Sequence, residues 1–242
     1  MTRFSDFVRA GNQGADPATY EIENAAMDPD GTLWAHLSSV APWAGRRLLD
    51  LGCGSGFWLP RYAEAAEVIG VEPDPELLPL ARARPGGARV LPGSAEHLPL
   101  PDGSVDVVHA RFAYFFPDPD FDPTPGLVEV QRVLATDGAL VVIDNDHDDG
   151  EFADLLAVSP WAAKQGTGPH IRRWWRERGA TSEPVLSSWN FESRADLEAV
   201  LRLEFPAEVV DPWLTAHPHR LGLSYGYVVH TWRPRGPGRH LA

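Results

Sequence analysis

Residues 48–58, LLDLGCGSGFW, constrain the fold more than any other part of this chain. A short apolar run ends in three alternating glycines, Gly52, Gly54 and Gly56, and the pattern predicts a helix over 57–66 directly afterwards. A buried strand that passes through a glycine turn into a helix is the entry to a parallel sheet covered by helices on both faces. Glycine lets the backbone turn sharply and lets a ligand approach where a Cβ would otherwise stand. The start of the following helix would add unpaired N–H groups.

The rest of the chain repeats that rhythm. Strands are expected at 46–51, 67–72, 88–91, 104–110 and 138–144, separated by helices at 57–66, 75–84 and 124–134. Before them, residues 17–41 read as helical with a break at 28–31, and Thr32 is the expected cap of the second helix. After them come helices at 151–158, 168–178, 194–204 and 207–216. Strands at 185–191 and 221–232 are expected to close the sheet with an antiparallel edge. The Pro/Gly-rich residues 233–242 read as a frayed tail.

Glu72 stands twenty residues after Gly52 and ends the second strand. An acid there can accept hydrogen bonds from both ribose hydroxyls of a nucleoside, because open α/β sheets bind ligands at the carboxyl ends of their strands. The glycine spacing separates two cofactor classes. A dinucleotide loop reads G-x-G-x-x-G, and here Phe57 occupies the third glycine position. Asp50, two residues before Gly52, suits a cationic amino group better than a pyrophosphate.

Charge narrows the partners. The 242 residues carry 21 basic and 34 acidic side chains, a net charge of −13. A surface this acidic repels a phosphate backbone, so nucleic acid is not the expected partner. Cys53 is the only cysteine, which excludes an internal disulfide. No segment reads as a signal peptide or a membrane span, so a soluble, cytoplasmic protein with no membrane partner is expected.

Three ordered segments carry a resemblance. DLGCGSG (50–56), VIGVEPD (68–74) and GSAEHLPLPDGSVDVVHARFA (93–113) resemble the class I S-adenosylmethionine-dependent methyltransferases. The similarity is to their small-molecule, ubiquinone-biosynthesis-type branch, called methyltransferase type 11-like, and it covers roughly residues 45–145. It implies an α/β fold with a doubly wound, mostly parallel, seven-stranded Rossmann-like sheet. It also implies one domain over 1–242: a helical cap at 1–44, a cofactor core at 45–145, a cap insertion at 150–180, sheet completion at 181–232 and a tail at 233–242.

The implied cofactor is S-adenosylmethionine. The resemblance assigns its methionine part to Asp50 and the backbone of Gly52 and Gly54, within a loop that includes Gly56. Glu72 takes the ribose, and Pro73 packs near the adenine. Ser94, Ala95 and Glu96 edge that ring, with Ser94 standing where many relatives have Asp. Ala110 and Arg111 line the methionine end, and Tyr20 is a lid residue. The implied reaction moves a methyl group to an O, N or C atom of a small metabolite by in-line displacement.

Two rival readings differ at stated residues. A nicotinamide-dependent oxidoreductase would need the glycine that Phe57 replaces. A non-catalytic binding module fits the absence of the His-His pair many relatives carry, here Phe115 and Phe116. His147 is the candidate general base, while His109 inside the fourth strand reads as structural. The run 144–149 (DNDHDD) invites a metal reading. Catechol-type methyltransferases, however, place a third carboxylate where this chain has Arg111, and no metal is expected. The acidic run reads instead as a cap for the helix near Glu151. Trp34, Trp58, Trp161, Trp174, Trp175, Phe112, Tyr114, Phe115 and Phe116 are the aromatic residues expected around the cleft.

Overall fold

The computed structural model describes residues 4–9, 12, 16–118, 120–160 and 168–234. Trp161 and most of the expected tail lie outside the described residues. Helices α1 (Pro17–Ala26) and α2 (Thr32–Val40) precede β1 (Arg47–Leu51), a 3₁₀ turn (Leu59–Tyr62) and β2 (Glu67–Glu72). Then follow α3 (Leu78–Arg82), β3 (Arg89–Pro92), β4 (Val105–Arg111), α4 (Thr124–Val133) and β5 (Leu134–Asn145). The remainder is α5 (Glu151–Val158), α6 (Gly168–Glu177), β6 (Thr181–Asn190), α7 (Arg194–Glu204), α8 (Ala207–Ala216) and β7 (Gly222–Trp232).

The seven strands form one sheet in the order β3-β2-β1-β4-β5-β7-β6. The first five are parallel, with Leu49 opposite Ile69 on one side and Val108 on the other. Successive strand residues point to opposite faces, and both faces are dry. Leu48, Val107, Val141 and Ile143 pack in one core with residues of α1, α2, α5, α7 and α8. Leu49, Val108, Leu140 and Val142 pack in the other with residues of α4 and α6. Burial on both sides explains why these strands read as continuous apolar runs rather than alternating ones.

Four sequence expectations need correction. The helix expected over 57–66 is only the 3₁₀ turn Leu59–Tyr62. Pro60 lies within it and has no N–H to continue a helical ladder. The helix expected over 75–84 contracts to Leu78–Arg82, with Pro79 in its first turn. The antiparallel strand is not the edge: β7 lies between β5 and β6 and is antiparallel to both. β6 is that edge and begins at Thr181, four residues before the expected start. It contains Pro184, which an edge strand tolerates because no ladder donor is lost on the solvent side.

The cap of α2 is also not Thr32. Gly31 precedes the helix with no side-chain cap, and Asp28 accepts from the Leu33 N–H at 2.9 Å and the Trp34 N–H at 3.0 Å. Its carboxylate also takes the Ser187 hydroxyl at 2.7 Å, and the Asp28 N–H donates to the Ser188 carbonyl. One side chain thus satisfies the helix start and ties it to the end of β6.

Candidate functional site

β1 and β4 are neighbours at the centre of the sheet, and chain progression reverses between them. That is the switch point where a crevice opens at the carboxyl ends of the strands. The glycine loop leaves β1 there. Gly52, Gly54 and Gly56 have φ of 72°, 58° and 75°, a left-handed conformation that disfavours other residues. The Gly52 and Cys53 N–H groups donate to the Val71 carbonyl. Cys53 rests on β2 at Gly70, where an added Cβ would come within 2.8 Å of its sulfur. Gly56 serves packing, since a Cβ there would meet the Ala81 Cα of α3 at 2.8 Å.

Glu72 is fixed into this loop. One carboxylate oxygen accepts from the Gly54 N–H at 2.7 Å and the other from the Asp74 N–H at 2.8 Å. A carboxylate has roughly four acceptor positions, so it retains capacity for a diol. Burial pushes its pKa up to about 7, opposed by those two backbone donors. Asp50 is the penultimate residue of β1 and is 4% exposed; burial raises its pKa to about 6, and the Arg111 charge pulls the other way. These residues fit a nucleoside that brings hydroxyl donors and a positive charge: the first donors suit Glu72, and the charge suits Asp50.

The end of β4 forms the opposite wall. The Arg111 guanidinium lies 4.1 Å from the Trp58 ring centre and donates to the Asn24 side-chain oxygen at 3.0 Å. It therefore ties α1 to the sheet, a role beyond the sequence expectation that it line the methionine end. Phe112 and Tyr114 follow with φ of 48° and 61°. Left-handed backbone at bulky residues is strained and concentrates at functional sites. Ala113 abuts Gly52: a Cβ on Gly52 would stand 2.7 Å from the Ala113 Cβ.

The third-strand segment forms the far end. Ser94 is 3% exposed, and its hydroxyl is 3.3 Å from the His97 Nδ1. Glu96 accepts from the Tyr114 hydroxyl at 2.7 Å, and its N–H donates to Asp6 at 3.1 Å. Arg9 pairs with Asp74 at 2.9 Å and also with Glu76. The sequence reading missed Asp6 and Arg9. Their partners lie 65 to 90 positions away, and no local motif marks them.

The other expected residues fall as follows. Ala95 is buried beside Ser94, and Pro73 is half-buried after Glu72. Ala110 is fully buried in the core on the α4 and α6 face. Tyr20 sits on α1, where burial and Glu23 hold its phenol protonated. His109 is fully buried, with its Nδ1 3.1 Å from the Tyr62 hydroxyl, and burial lowers its pKa to about 3. His147 lies half-buried after β5, packed beside Gly168 of α6, and desolvation lowers its pKa.

The acidic run 144–149 does not cap α5, whose start at Gly150 has no side-chain cap. Its Asp146 and Asp148 instead bind Arg172 of α6 at 2.7 and 2.5 Å. The aromatic residues divide. Trp34, Trp58 and Tyr62 form a cluster with Trp43 on the α2 side. Trp174 and Trp175 of α6 are buried in the core with Phe115.

Comparison with known proteins gives this geometry a context. Residues 49–142 match the family described as methyltransferase domain. An uncharacterized methyltransferase of Mycobacterium tuberculosis is 35% identical over 137 residues, covering 56% of this chain and 53% of the relative. A tRNA U34 carboxymethyltransferase of Methylococcus capsulatus is 32% identical over 183 residues, covering 70% of this chain and 52% of the relative. The chain spans about half the length of these curated relatives. The structure of a SAM-dependent methyltransferase from Aquifex aeolicus shares the fold. It has a TM-score of 0.55 at 16% identity, covering 89% of this chain and 98% of that one. The domain match lies across the glycine loop and β1–β5, so this chain carries a methyltransferase domain over residues 49–142, set in a sheet of the order β3-β2-β1-β4-β5-β7-β6.

Proposed function

We propose that this chain binds S-adenosylmethionine at the β1–β4 switch point and methylates a small metabolite on an O, N or C atom. The observation that carries the reading is Glu72. It is buried, held by the Gly54 and Asp74 N–H groups, and keeps acceptor capacity for a ribose diol. Asp50 would hold the amino group of the methionine part, with the backbone of Gly52 and Gly54 beside it. Pro73, Ser94, Ala95 and Glu96 would edge the base.

When bound, the cofactor supplies a sulfonium methyl that an acceptor lone pair takes as the C–S bond breaks. The chain's own contribution is position. Reactants held in line gain most of the rate available to such a displacement. In this reading Arg111, Phe112 and Trp58, with Asn24 of α1, would hold the acceptor. His147 is the candidate base. Its lowered pKa keeps the imidazole neutral near pH 7, the form that accepts a proton. In this reading, one domain carries helical caps at 1–44 and 150–180.

A tRNA acceptor is the competing class, because one relative is named for it. The net charge of −13 favours a small molecule. Incubating the protein with methyl-labelled S-adenosylmethionine and either a metabolite extract or total tRNA separates the two. Label in the small-molecule fraction alone is expected. Label in tRNA would replace the acceptor class, and label in neither would leave the activity unsupported.

A further inference from the structure

The N-terminal residues 4–9 form a strap across the carboxyl ends of β2 and β3. Arg9 grips Asp74 and Glu76, the Phe4 ring sits 6.1 Å from the His97 ring, and Asp6 is bound at Glu96. Asp74 in turn donates its N–H to Glu72, so the strap is joined to the ribose acid through one residue.

Asp6 is the unusual member. Its side chain is 2% exposed. Its Oδ2 accepts from the Glu96 N–H at 3.1 Å, while its Oδ1 is buried with no hydrogen-bond partner. The His97 Nδ1 is 3.7 Å from this oxygen, beyond hydrogen-bond length. Buried carboxylate oxygens without donors are rare in folded proteins, and each one asks what completes it. This oxygen lies beside 94–96, where the local side chain is a serine hydroxyl facing His97 rather than a carboxylate.

We propose that Asp6 is the base-reading carboxylate of the nucleoside site: its Oδ1 accepts a hydrogen bond from the exocyclic amine of an adenine seated against Ser94–Glu96. The inference rests on the S-adenosylmethionine reading of the cleft and adds a specificity residue to it from outside the matched domain. A purine with an oxygen in place of that amine would set two acceptors against each other and leave the carboxylate unsatisfied. The site therefore discriminates 6-amino from 6-oxo purines.

Calorimetry with S-adenosylhomocysteine and with its 6-oxo analogue, S-inosylhomocysteine, tests this on the full chain and on Asp6→Ala, with thermal melts to verify folding. The wild type is expected to prefer the amino ligand by about tenfold or more, the range for a hydrogen bond to a charged group. Asp6→Ala is expected to lose that preference by weakening the amino ligand alone. Equal weakening of both ligands would make Asp6 only an anchor for the strap. Tighter binding of S-adenosylhomocysteine by the variant would mean that Asp6 occupies the seat itself. Either result overturns the proposal while leaving the cofactor reading intact. No binding of either ligand by the wild type would overturn the cofactor reading as well.

Discussion

Asp144 is the penultimate residue of β5, opposite Val228 of β7, with one oxygen accepting the Asn145 N–H at 2.7 Å. It is 4% exposed, and burial raises its pKa to about 7. The unfolded chain releases this proton in the usual carboxylate range, so between about pH 4 and 7 the folded state holds more protons. The group's contribution is greatest at low pH and is lost as pH rises through 7. Asp144→Asn keeps the acceptor and removes the charge. Its stability relative to wild type is expected to grow across that window by about 4 kcal/mol and then level off. Urea denaturation at pH 4, 6 and 8 measures this, and a difference independent of pH would contradict it. At this scale Glu72 and Asp50 were legible in the sequence because a strand end and a fixed spacing mark them. Asp6 was not, and neither was the tie that Arg111 makes to Asn24. Asp6 acts at Glu96, 90 positions away, and Arg111 acts on Asn24, 87 positions away.

Helix and strand interiors were readable because burial on both sheet faces writes continuous apolar runs into β1, β2, β4 and β5. Element ends were less so. Pro60 and Pro79 cut two expected helices short, and an edge position let β6 extend through Pro184. The start of α2 shows why caps mislead. Thr32 has the expected side chain, but Asp28 reaches forward to both Leu33 and Trp34 while also taking the Ser187 hydroxyl. Asp28→Ala is expected to lower stability by about 2 kcal/mol, because it removes a helix cap and leaves buried donors unpaired. Thr32→Ala is expected to change it by less than about 0.5 kcal/mol. Chemical denaturation of the two variants tests the assignment, and equal losses would return the cap to Thr32.

For the whole molecule, the order β3-β2-β1-β4-β5-β7-β6 does what the alternation of elements promised, placing the glycine loop and the end of β4 side by side at the switch point. The sequence could not show that β7 inserts between β5 and β6, since strand order on the far side is set by packing among α5, α7 and α8 rather than by local pattern. Nor could it show that the N-terminal strap reaches the nucleoside end. The central claim is that this crevice is a cofactor site. Calorimetric titration of the full chain with S-adenosylhomocysteine near pH 7.5 tests it most directly. One-to-one binding with a dissociation constant below about 100 μM is predicted. Absence of binding at ~1 mM ligand would contradict the account.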